Sequence, residues 1–441
     1  MLLRFRVSNH ASLRAEQEIS LIAGDAADSD ESAVRPLPGS DLQVLPVVAV
    51  FGANASGKSN LVHALAFMQA AVVDSHQGWR PGQAVPRRPF AFDPADRQRP
   101  SVFAVEILLD GVRHEYGFAV SDRRVEEEWL YDFPKAKRRM LFERDDEGVR
   151  IGPGFRGRRK VVEDVVRPNS LFLSAGAANN NPLLLRVYEW FTKRLRLAVD
   201  SNYAARLTET IALRQGPQQQ LLRDLLAYAD LGVSGLELVD HPLDDAVQER
   251  LLRAMKAIDP DGFDEAAADP LRRFQRVQLE HTGAAGPVSL DLSEESNGTQ
   301  TWVGLLGPVL GALSSGAVLV VDELDARLHP RLAARLVALF QDGKANPNGA
   351  QLLFNTHDAT LLAPTSDARL RRDQVWFTEK GADGGTTLTA LLDYRPRRDG
   401  AANLERGYLA GRYGGLPFFD DDLLGSLLGS VRGSEGEVAA G

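Results

Sequence analysis

The sequence contains no cysteine and no long hydrophobic run, and each absence excludes a class of protein. Without a thiol, the chain has no disulfide framework, no cysteine-ligated metal and no thiol nucleophile. No stretch approaches the roughly eighteen consecutive apolar residues of a membrane-spanning helix. The N-terminus alternates like a strand and lacks the apolar core of a signal peptide, so we expect a cytoplasmic protein without membrane partners.

Positive charge is not in excess either. The chain has 51 Lys and Arg against 60 Asp and Glu, and its net charge of −9 argues against indiscriminate coating of nucleic acid. The basic residues are nevertheless concentrated in two runs, at 135–139 and 156–160. These runs could follow a phosphate backbone, or they could be the solvated edges of strands. The sequence leaves both alternatives open.

The most specific pattern in the chain is a glycine-rich loop. Residues 52–59 read Gly-Ala-Asn-Ala-Ser-Gly-Lys-Ser, which matches G-x-x-x-x-G-K-[ST] between an apolar strand-like run and a helix-like run. Such a loop turns its backbone N–H groups toward phosphate oxygens, and the following helix adds its positive dipole end. We therefore predict that the chain binds ATP, with Lys58 on the β- and γ-phosphates and the Ser59 hydroxyl on Mg²⁺. The other predicted ATP contacts are Gly52, Asn54, Gly57 and Asn60.

Two later strand-like runs end in polar residues that suit phosphate hydrolysis. Residues 317–321 are apolar and lead to Asp322 and Glu323. At the carboxyl edge of a parallel sheet, Asp322 would join the Mg²⁺ shell, and Glu323 would orient and deprotonate the attacking water. Residues 351–356 lead in the same way to His357, which can hydrogen-bond the γ-phosphate or that water. In isolation these would be an acidic turn and a structural histidine, but beside a P-loop they favour catalysis.

A helix start with phosphate-binding features lies between these motifs. Residues 296–300 read Ser-Asn-Gly-Thr-Gln and precede an apolar, helix-like run at 302–313. Ser296 can cap the helix, and Gly298 lets another backbone approach closely, so the helix N-terminus can receive a phosphate. Taken alone, the pattern is equally that of an ordinary N-cap.

The periodicity of the chain changes twice, which suggests three regions. We predict an N-terminal lobe with the P-loop at 1–182, a compact helical insertion at 183–265, and a C-terminal lobe at 266–441. An Asp-Gly pair at 110–111 between two alternating runs predicts a β-hairpin. The insertion shows three helix-like runs, and no heptad register persists across them, so no long coiled coil is expected. The first run includes Leu195 and Leu197, and the third extends from Val247 to Ile258.

The order of these motifs resembles the head of ABC-type ATPases of the RecF/Rad50/SMC lineage. It is similar in particular to the prokaryotic AAA-15/AAA-21 group of abortive-infection and antiphage ATPases, of the RloA, AbiL and PARIS types. Asn9 and the stretches 324–330 and 408–417 also match the habits of that group. The resemblance implies an α/β fold, an ABC-type P-loop ATPase head with mixed β-sheets and flanking helices, interrupted by the helical insertion.

The resemblance also implies a homodimer held together by nucleotide. Ser296 and Gly298 would contact the γ-phosphate bound to the P-loop of a second subunit, and Asp325 would lie at the interface between the subunits. The chain departs from the transporter pattern, because it has Ser-Asn-Gly-Thr-Gln where transporters have a Ser-Gly-Gly-Gln core. The lid glutamine that usually couples Mg²⁺ to the inserted arm is not identified.

These features are compatible with three functions. The first is an ATPase that closes on ATP and regulates an effector encoded nearby, such as a nuclease or toxin, in antiphage defence. Roughly 120 residues follow Asp322, and we expect these to be too few for a Toprim nuclease domain. The second is a RecF-like repair ATPase that binds DNA, and a phage component is a further possible partner. The third is a transporter subunit. It is disfavoured by the insertion, by the departure of residues 296–300 (the signature) from the transporter pattern, and by the His329-Pro330 pair.

Overall fold

The computed structural model describes residues 1–24, 34–37, 42–229, 231–242, 246–247, 249–250, 253, 273–284, 286–394 and 403–416. The α-helices discussed below are α1 Lys58–Asp74, α2 Pro94–Gln98, α3 Arg159–Val165, α4 Phe172–Ala178, α5 Pro182–Glu189, α6 Tyr203–Ala212, α7 Gln219–Tyr228, α8 Asn297–Ser315, α9 Pro330–Gln341 and α10 Leu404–Leu409. The strands are β1 Leu2–Ser8, β2 Gln17–Ser20, β3 Arg35–Pro36, β4 Gln43–Val44, β5 Val47–Gly52, β6 Ser101–Leu109, β7 Val112–Val120, β8 Val125–Asp132, β9 Arg139–Asp145, β10 Gly148–Ile151, β11 Leu195–Ala198, β12 Val233–Pro242, β13 Arg273–Gly283, β14 Gly286–Asp291, β15 Val318–Val321, β16 Gln351–Thr356, β17 Val375–Lys380 and β18 Thr386–Ala390.

The first large sheet is antiparallel and has seven strands in the order β10-β9-β8-β7-β6-β1-β2. Its longest hairpin joins β6 to β7 through Asp110 and Gly111, which have φ values of 46° and 77°. Both residues of a type I′ turn need positive φ, and an Asp-Gly pair supplies this at low cost. The hairpin predicted from the sequence is therefore confirmed.

The second large sheet carries the P-loop and is parallel except at one edge. Its six strands lie in the order β11-β15-β16-β5-β17-β18, and only β18 is antiparallel to its neighbour. Strand β5 occupies the interior, between β16 and β17. The carboxyl ends of β5, β15 and β16 thus meet at one edge, where ligands of open α/β sheets bind. The P-loop strand, the helix after it and both polar strand ends were predicted at these positions.

Both faces of the parallel sheet are covered, which explains why its strands read as continuous apolar runs. Alternate side chains of β5 enter different cores, because successive residues of a strand point to opposite faces. Val48 and Val50 pack with α1 and the antiparallel sheet in one core. Val47, Ala49 and Phe51 pack with α8 and α9 in the other. The predicted mixed α/β architecture with flanking helices is confirmed.

The prediction of a helical insertion at 183–265 is wrong in part. Leu195 and Leu197 were assigned to a helix, but they lie in β11, which pairs in parallel with β15 at the edge of the P-loop sheet. The helix before them, α5, continues as one π-helical turn, Trp190–Arg194, and then becomes extended. A strand, β12, follows α7 and pairs with β13. The segment therefore mixes helices with strands, although the division into three regions stays a prediction.

Two sequence predictions extend beyond the part of the chain that the structure describes. Most of the third predicted helix, from Val247 to Ile258, lies outside it. So does Pro417, the last residue of the stretch that resembles the ATPase group. Among the described residues, no helix combines the length and the apolar character needed to cross a membrane.

A small sheet connects the inserted segment to the predicted signature helix α8. Its strands lie in the order β12-β13-β14, and β14 leads through a short 3₁₀ turn to the start of α8. His281 Nε2 on β13 lies 2.6 Å from Glu295 Oε1, and Glu295 directly precedes Ser296. Gln300 in α8 donates to the Glu295 carbonyl at 2.9 Å. The helix start is thus fastened to the small sheet by side-chain contacts.

Candidate nucleotide-binding site

The P-loop lies directly on the hairpin formed by β17 and β18. At Gly52, a Cβ atom would come within 2.2 Å of the hydroxyl oxygen of Thr378, and at Gly57 within 2.1 Å of that of Thr386. Gly57 also has φ 108°, a conformation that side chains other than glycine rarely adopt. Both glycines of the motif are therefore required by the close approach of two threonines as well as by the predicted phosphate.

A network of short polar contacts fixes the underside of the loop. Ser56 Oγ lies 2.6 Å from Thr378 Oγ1, and Thr386 Oγ1 donates to the Ser56 carbonyl at 2.7 Å. Ser12 Oγ lies 2.7 Å from Thr386 Oγ1 and accepts a 2.7 Å hydrogen bond from Asn60 Nδ2. Asn60, predicted to contact ATP, thus lines the loop while its carboxamide nitrogen braces the N-terminal turn. These buried contacts fix the loop shape before any ligand binds.

Lys58 is drawn back onto its own loop. Its ammonium group donates to the carbonyl oxygens of Gly52 at 2.6 Å and Ala53 at 2.9 Å, and the residue is buried. Burial lowers the pKa of Lys58, and the carboxylates in the acidic turn, residues 322–325, oppose that shift. A buried cation enclosed by loop carbonyls and facing an acidic turn is suited to exchanging those partners for phosphate oxygens.

One residue that the sequence did not single out joins both parts of the acidic turn. Asn355, buried on β16, donates from Nδ2 to Asp322 Oδ1 at 2.5 Å. Its Oδ1 accepts a 2.5 Å hydrogen bond from the backbone N–H of Glu323. Glu323 has φ 53°, which is strained for a residue with a side chain, and strain of this kind is concentrated at functional sites. The carboxamide of Asn355 therefore holds the conformation of the turn.

Helix α1, which follows the P-loop, contacts the same acidic turn from the other side. His63 Nε2 lies 3.7 Å from Asp322 Oδ2. Ser59 precedes His63 by four residues on α1, so both side chains share one face of the helix. That face is turned toward Asp322, as the predicted sharing of one Mg²⁺ by Ser59 and Asp322 requires.

His357 is paired with an aspartate of its own chain. Its Nδ1 lies 3.1 Å from Asp325 Oδ2, and the Asp325 side chain is only 5% exposed while that of His357 is 56% exposed. With the proton on Nδ1, this pairing leaves Nε2 available for a ligand. The sequence predicted Asp325 at a subunit interface. Its carboxylate is turned inward onto His357, and its place at a subunit interface stays a prediction.

Most of the predicted site residues line one open cavity of ≈ 510 Å³. Its walls are Ala53, Asn54, Ala55, Gly57, Lys58, Ser59, Asn60, Glu323, His357 and Lys380. A second cavity of ≈ 290 Å³ lies between α8 and the acidic turn, and Glu323 and Asp322 belong to its walls. Glu323 therefore stands between the two cavities. Lys380 was not predicted as a site residue, because a lone lysine at a strand end carries no sequence signal.

The predicted signature residues lie elsewhere on the same chain. Ser296 caps α8, accepting a 3.1 Å hydrogen bond from the Thr299 N–H, and it is exposed. Gly298 follows, and a Cβ there would come within 2.8 Å of the Arg327 carbonyl oxygen. Neither residue lines the P-loop cavity of its own chain. The start of α8 is thus an accessible helix N-terminus that is not used by the P-loop beside it.

The oxygen groups of Ser59 and Asp322 fit Mg²⁺ bound together with a triphosphate. No group of three or more His, Cys, Asp or Glu side chains suited to a metal occurs among the described residues. Mg²⁺ characteristically takes one or two protein oxygens and completes its shell with substrate phosphates and water. The Ser59 hydroxyl and the Asp322 carboxylate have that character, and Lys58 supplies compensating positive charge.

A comparison with protein families assigns the chain. Residues 47–363, which include the P-loop, the acidic turn and His357, match the model described as "AAA domain, putative AbiEii toxin, Type IV TA system". The chain belongs to this family. The predicted AAA-21 group is thereby confirmed, whereas the RloA, AbiL or PARIS subtype stays a prediction. No curated protein matches the chain.

Solved structures similar to this AAA-family chain include several heads of SMC proteins. An Smc head bound to the C-terminal winged-helix domain of ScpA is 12% identical and has a TM-score of 0.43, with 88% of this chain and 97% of that chain covered. The SMC head domain from Thermotoga maritima is 12% identical with a TM-score of 0.37, covering 88% and 98%. The Pyrococcus furiosus Smc head, bound to the C-terminal domain of ScpA, is 12% identical with a TM-score of 0.39, covering 89% and 97%.

Proposed function

We propose that this chain binds Mg-ATP in the P-loop cavity and hydrolyses it to ADP and phosphate. The observation that carries the proposal is the convergence of the P-loop, Glu323 and His357 on one cavity of ≈ 510 Å³. In this proposal the P-loop amides and Lys58 bind the β- and γ-phosphates. Ser59 and Asp322 hold Mg²⁺, which neutralises phosphate charge when bound.

Glu323 is the proposed base for the attacking water. Two observations support this role: Glu323 lines the P-loop cavity, and its backbone N–H donates to Asn355. His357 is proposed to hydrogen-bond the γ-phosphate or the water through Nε2, oriented by Asp325. Membership of the AAA family supports nucleotide binding, and the roles of the individual residues are part of the proposal.

We propose further that ATP closes two copies of the chain into a homodimer. The exposed start of α8, with Ser296 and Gly298, would cover the γ-phosphate in the P-loop of the other copy. Placing the phosphates between two helix N-termini from different chains shares their negative charge. A symmetric pair of such sites would make closure depend on nucleotide. The exposure of Ser296 and its separation from the P-loop cavity of its own chain support this arrangement.

The proposed biological role is regulation of an effector in prokaryotic antiphage defence. The description of the chain's family, "AAA domain, putative AbiEii toxin, Type IV TA system", supports a role in such systems. In this proposal the effector chemistry belongs to a partner, a nuclease or toxin encoded nearby.

The test combines phosphate release with a mass measurement. The purified full-length chain is expected to release phosphate from ATP in a Mg²⁺-dependent way, and its mass is expected to double when ATP is added. A partner encoded beside it is expected to co-purify. A chain that binds no ATP, or that alone degrades nucleic acid at a metal site of its own, would contradict the proposal.

A second candidate, a DNA-binding repair ATPase, is favoured by one observation. The chain just before the second basic run lies beside the end of the first, because Gly152 N–H donates to the Leu141 carbonyl at 2.9 Å and a Cβ at Gly154 would come within 2.9 Å of Arg139 Nε. Residues 135–139 and 156–160 are all exposed. Such a cationic surface could neutralise several backbone phosphates.

Charge reversal separates the two candidates. Replacing Arg158 and Arg159 with Glu is expected to abolish ATP-stimulated DNA binding if the repair function is right. The same change is expected to leave nucleotide-dependent closure intact in either case, because these residues lie outside the cavity. Binding of duplex DNA, followed by fluorescence anisotropy at a stated salt concentration, measures the difference.

A further inference from the structure

An exposed aromatic ring lies beside Lys380, one of the residues that line the P-loop cavity. Phe92 is 71% exposed, more than any other large hydrophobic side chain among the described residues. Its neighbour Phe90 is 1% exposed and meets Phe92 edge to face, with the ring centroids 5.6 Å apart. Phe90 anchors the loop in the protein, whereas burial does not account for the position of Phe92.

The segment that presents this ring, residues 90–93, is held rigidly. Its first N–H donates to Asn9 Oδ1 at 3.0 Å. The carbonyl of its second residue accepts two hydrogen bonds from Arg97, at 3.0 and 2.7 Å. The carboxylate of its last residue pairs with Arg14 at 2.6 Å. An exposed ring on a loop fixed at three points is organised in advance for contact with a ligand.

The ring is connected to the predicted phosphate site through the β17–β18 hairpin. Lys380, at the end of β17, lines the P-loop cavity, and its ammonium group lies 6.0 Å from the centroid of the Phe92 ring. The ring packs against Gly384 in the turn of that hairpin, where a Cβ would come within 2.8 Å of a ring carbon. Gly384 also has φ 80°, so both the backbone conformation and the nearby ring exclude a side chain at this position. The ring is thus backed by the turn that continues from the floor of the P-loop.

We propose that Phe92 binds the nucleobase of the nucleoside triphosphate by stacking. The inference rests on the proposed function, because it assumes that the phosphates occupy the P-loop cavity. The triphosphate would then extend past Lys380, and the base would cover the open side of the Phe92 ring. Stacking on an aromatic face stabilises any base, and it requires a ring that is exposed in the free protein and held in place.

The experiment compares ATP with inorganic triphosphate, which has no base, by isothermal titration of the full-length chain with Mg²⁺ present. Phe92→Ala is expected to weaken ATP binding by about tenfold, in line with the contribution of one stacked base. The affinity for inorganic triphosphate is expected to stay at the wild-type value. Phe92→Trp is expected to keep ATP binding. Tyr228→Ala, which removes another exposed aromatic ring, is the matched control and is expected to change neither affinity.

The outcomes distinguish this inference from the function on which it rests. Wild-type ATP affinity in Phe92→Ala would overturn the base subsite alone. An equal loss of ATP and inorganic triphosphate binding would overturn it as well, because Phe92 would then act through the phosphate loop. A wild-type chain that binds neither ligand, with Lys58→Ala indistinguishable from it, would overturn the proposed function and the subsite together.

Discussion

The two helix N-termini that are proposed to hold one triphosphate are built very differently. The start of α1 is held by contacts within the protein: Gly57 lies against Thr386, and buried hydroxyl groups form hydrogen bonds beneath the loop. The start of α8 is exposed, and the Ser296 hydroxyl is engaged only within its own first turn. We call each helix start with its phosphate-binding groups a half-site. The P-loop half-site at α1 is supported by its own chain, whereas the α8 half-site faces solvent. The difference suggests that the second half-site acquires its function from outside the chain that contains it.

The largest effect is expected from removing the Lys58 ammonium group from the P-loop half-site. Lys58→Ala should weaken ATP binding by about a hundredfold or more, since two charge-assisted contacts to phosphate are lost. Ser296→Arg should leave ATP binding to the isolated chain unchanged, because Ser296 does not line the P-loop cavity. Titration of both variants with ATP at concentrations that keep the protein monomeric measures the contrast. Equal losses in the two variants would remove the distinction between the half-sites.

Glu323→Gln should separate closure from hydrolysis. The amide cannot take the proton from water, so kcat should fall on the order of a hundredfold to a thousandfold. ATP affinity should be retained, because Lys58 and Asp322 are unchanged, and the closed form should accumulate. Phosphate release and mass in the presence of ATP are the measurements. Hydrolysis at the wild-type rate would remove Glu323 from the role of base.

A smaller effect is expected from the residue that holds the acidic turn. Asn355→Asp replaces the donor to Asp322 with a second carboxylate, so the Mg²⁺ concentration for half-maximal hydrolysis should shift and kcat should fall about tenfold. Asn346 is a matched control: it is also buried, and its carboxamide bonds the backbone of Phe340 and Ala350 far from the cavity. Asn346→Asp should destabilise the protein without moving the Mg²⁺ dependence.

One outcome would contradict the prediction for Asn355. If Asn355→Asp and Asn346→Asp lower stability equally and both keep the wild-type Mg²⁺ dependence, then Asn355 is only a packing residue. The conformation of Glu323, with its positive φ, would then need another explanation.

The last predicted effect is on stability rather than on binding or hydrolysis, and it concerns the acid sensitivity of the part of the protein that packs around α1. Burial lowers the pKa of His10 to about 4, aided by the charges of Arg88 and His63. Its unfolded pKa is about 6.5, so the unfolded chain takes up the proton first, and stability is lost as pH falls from about 6.5 toward 4. Between pH 7.5 and pH 5 the loss should be about 2 kcal/mol. His10 contacts the rings of Phe67 and Phe103, and His10→Phe should remove this slope in urea unfolding. An unchanged slope in that variant would assign it to other groups.

Local patterns in the sequence were sufficient for much of the fold and for the centre of the site. The P-loop and the strands that end at Asp322 and His357 were predictable because each consists of contiguous residues. Leu195 was assigned to a helix because it continues the spacing of α5, and only pairing with β15 makes its segment a strand. Strand pairing between distant segments overrides local periodicity of this kind.

Side-chain roles that depend on tertiary contacts were not predictable. Asn355 acts across a strand boundary, 33 residues from Asp322, and nothing in its own surroundings marks it. The inward direction of Asp325 depends likewise on where β16 places His357. Lys380 lines the cavity and Phe92 lies beside Lys380 only because a hairpin and a loop distant in sequence meet there.

The central claim, that one triphosphate is held by the P-loop of one copy and the α8 start of another, is tested most directly by mixing two inactive variants. Lys58→Ala lacks the first element and Ser296→Arg the second, so each alone should hydrolyse little ATP. In an equimolar mixture, half of the random dimers contain one intact composite site, and roughly a quarter of wild-type activity should return. A mixture as inactive as its components, or full activity of Ser296→Arg alone, would contradict the account.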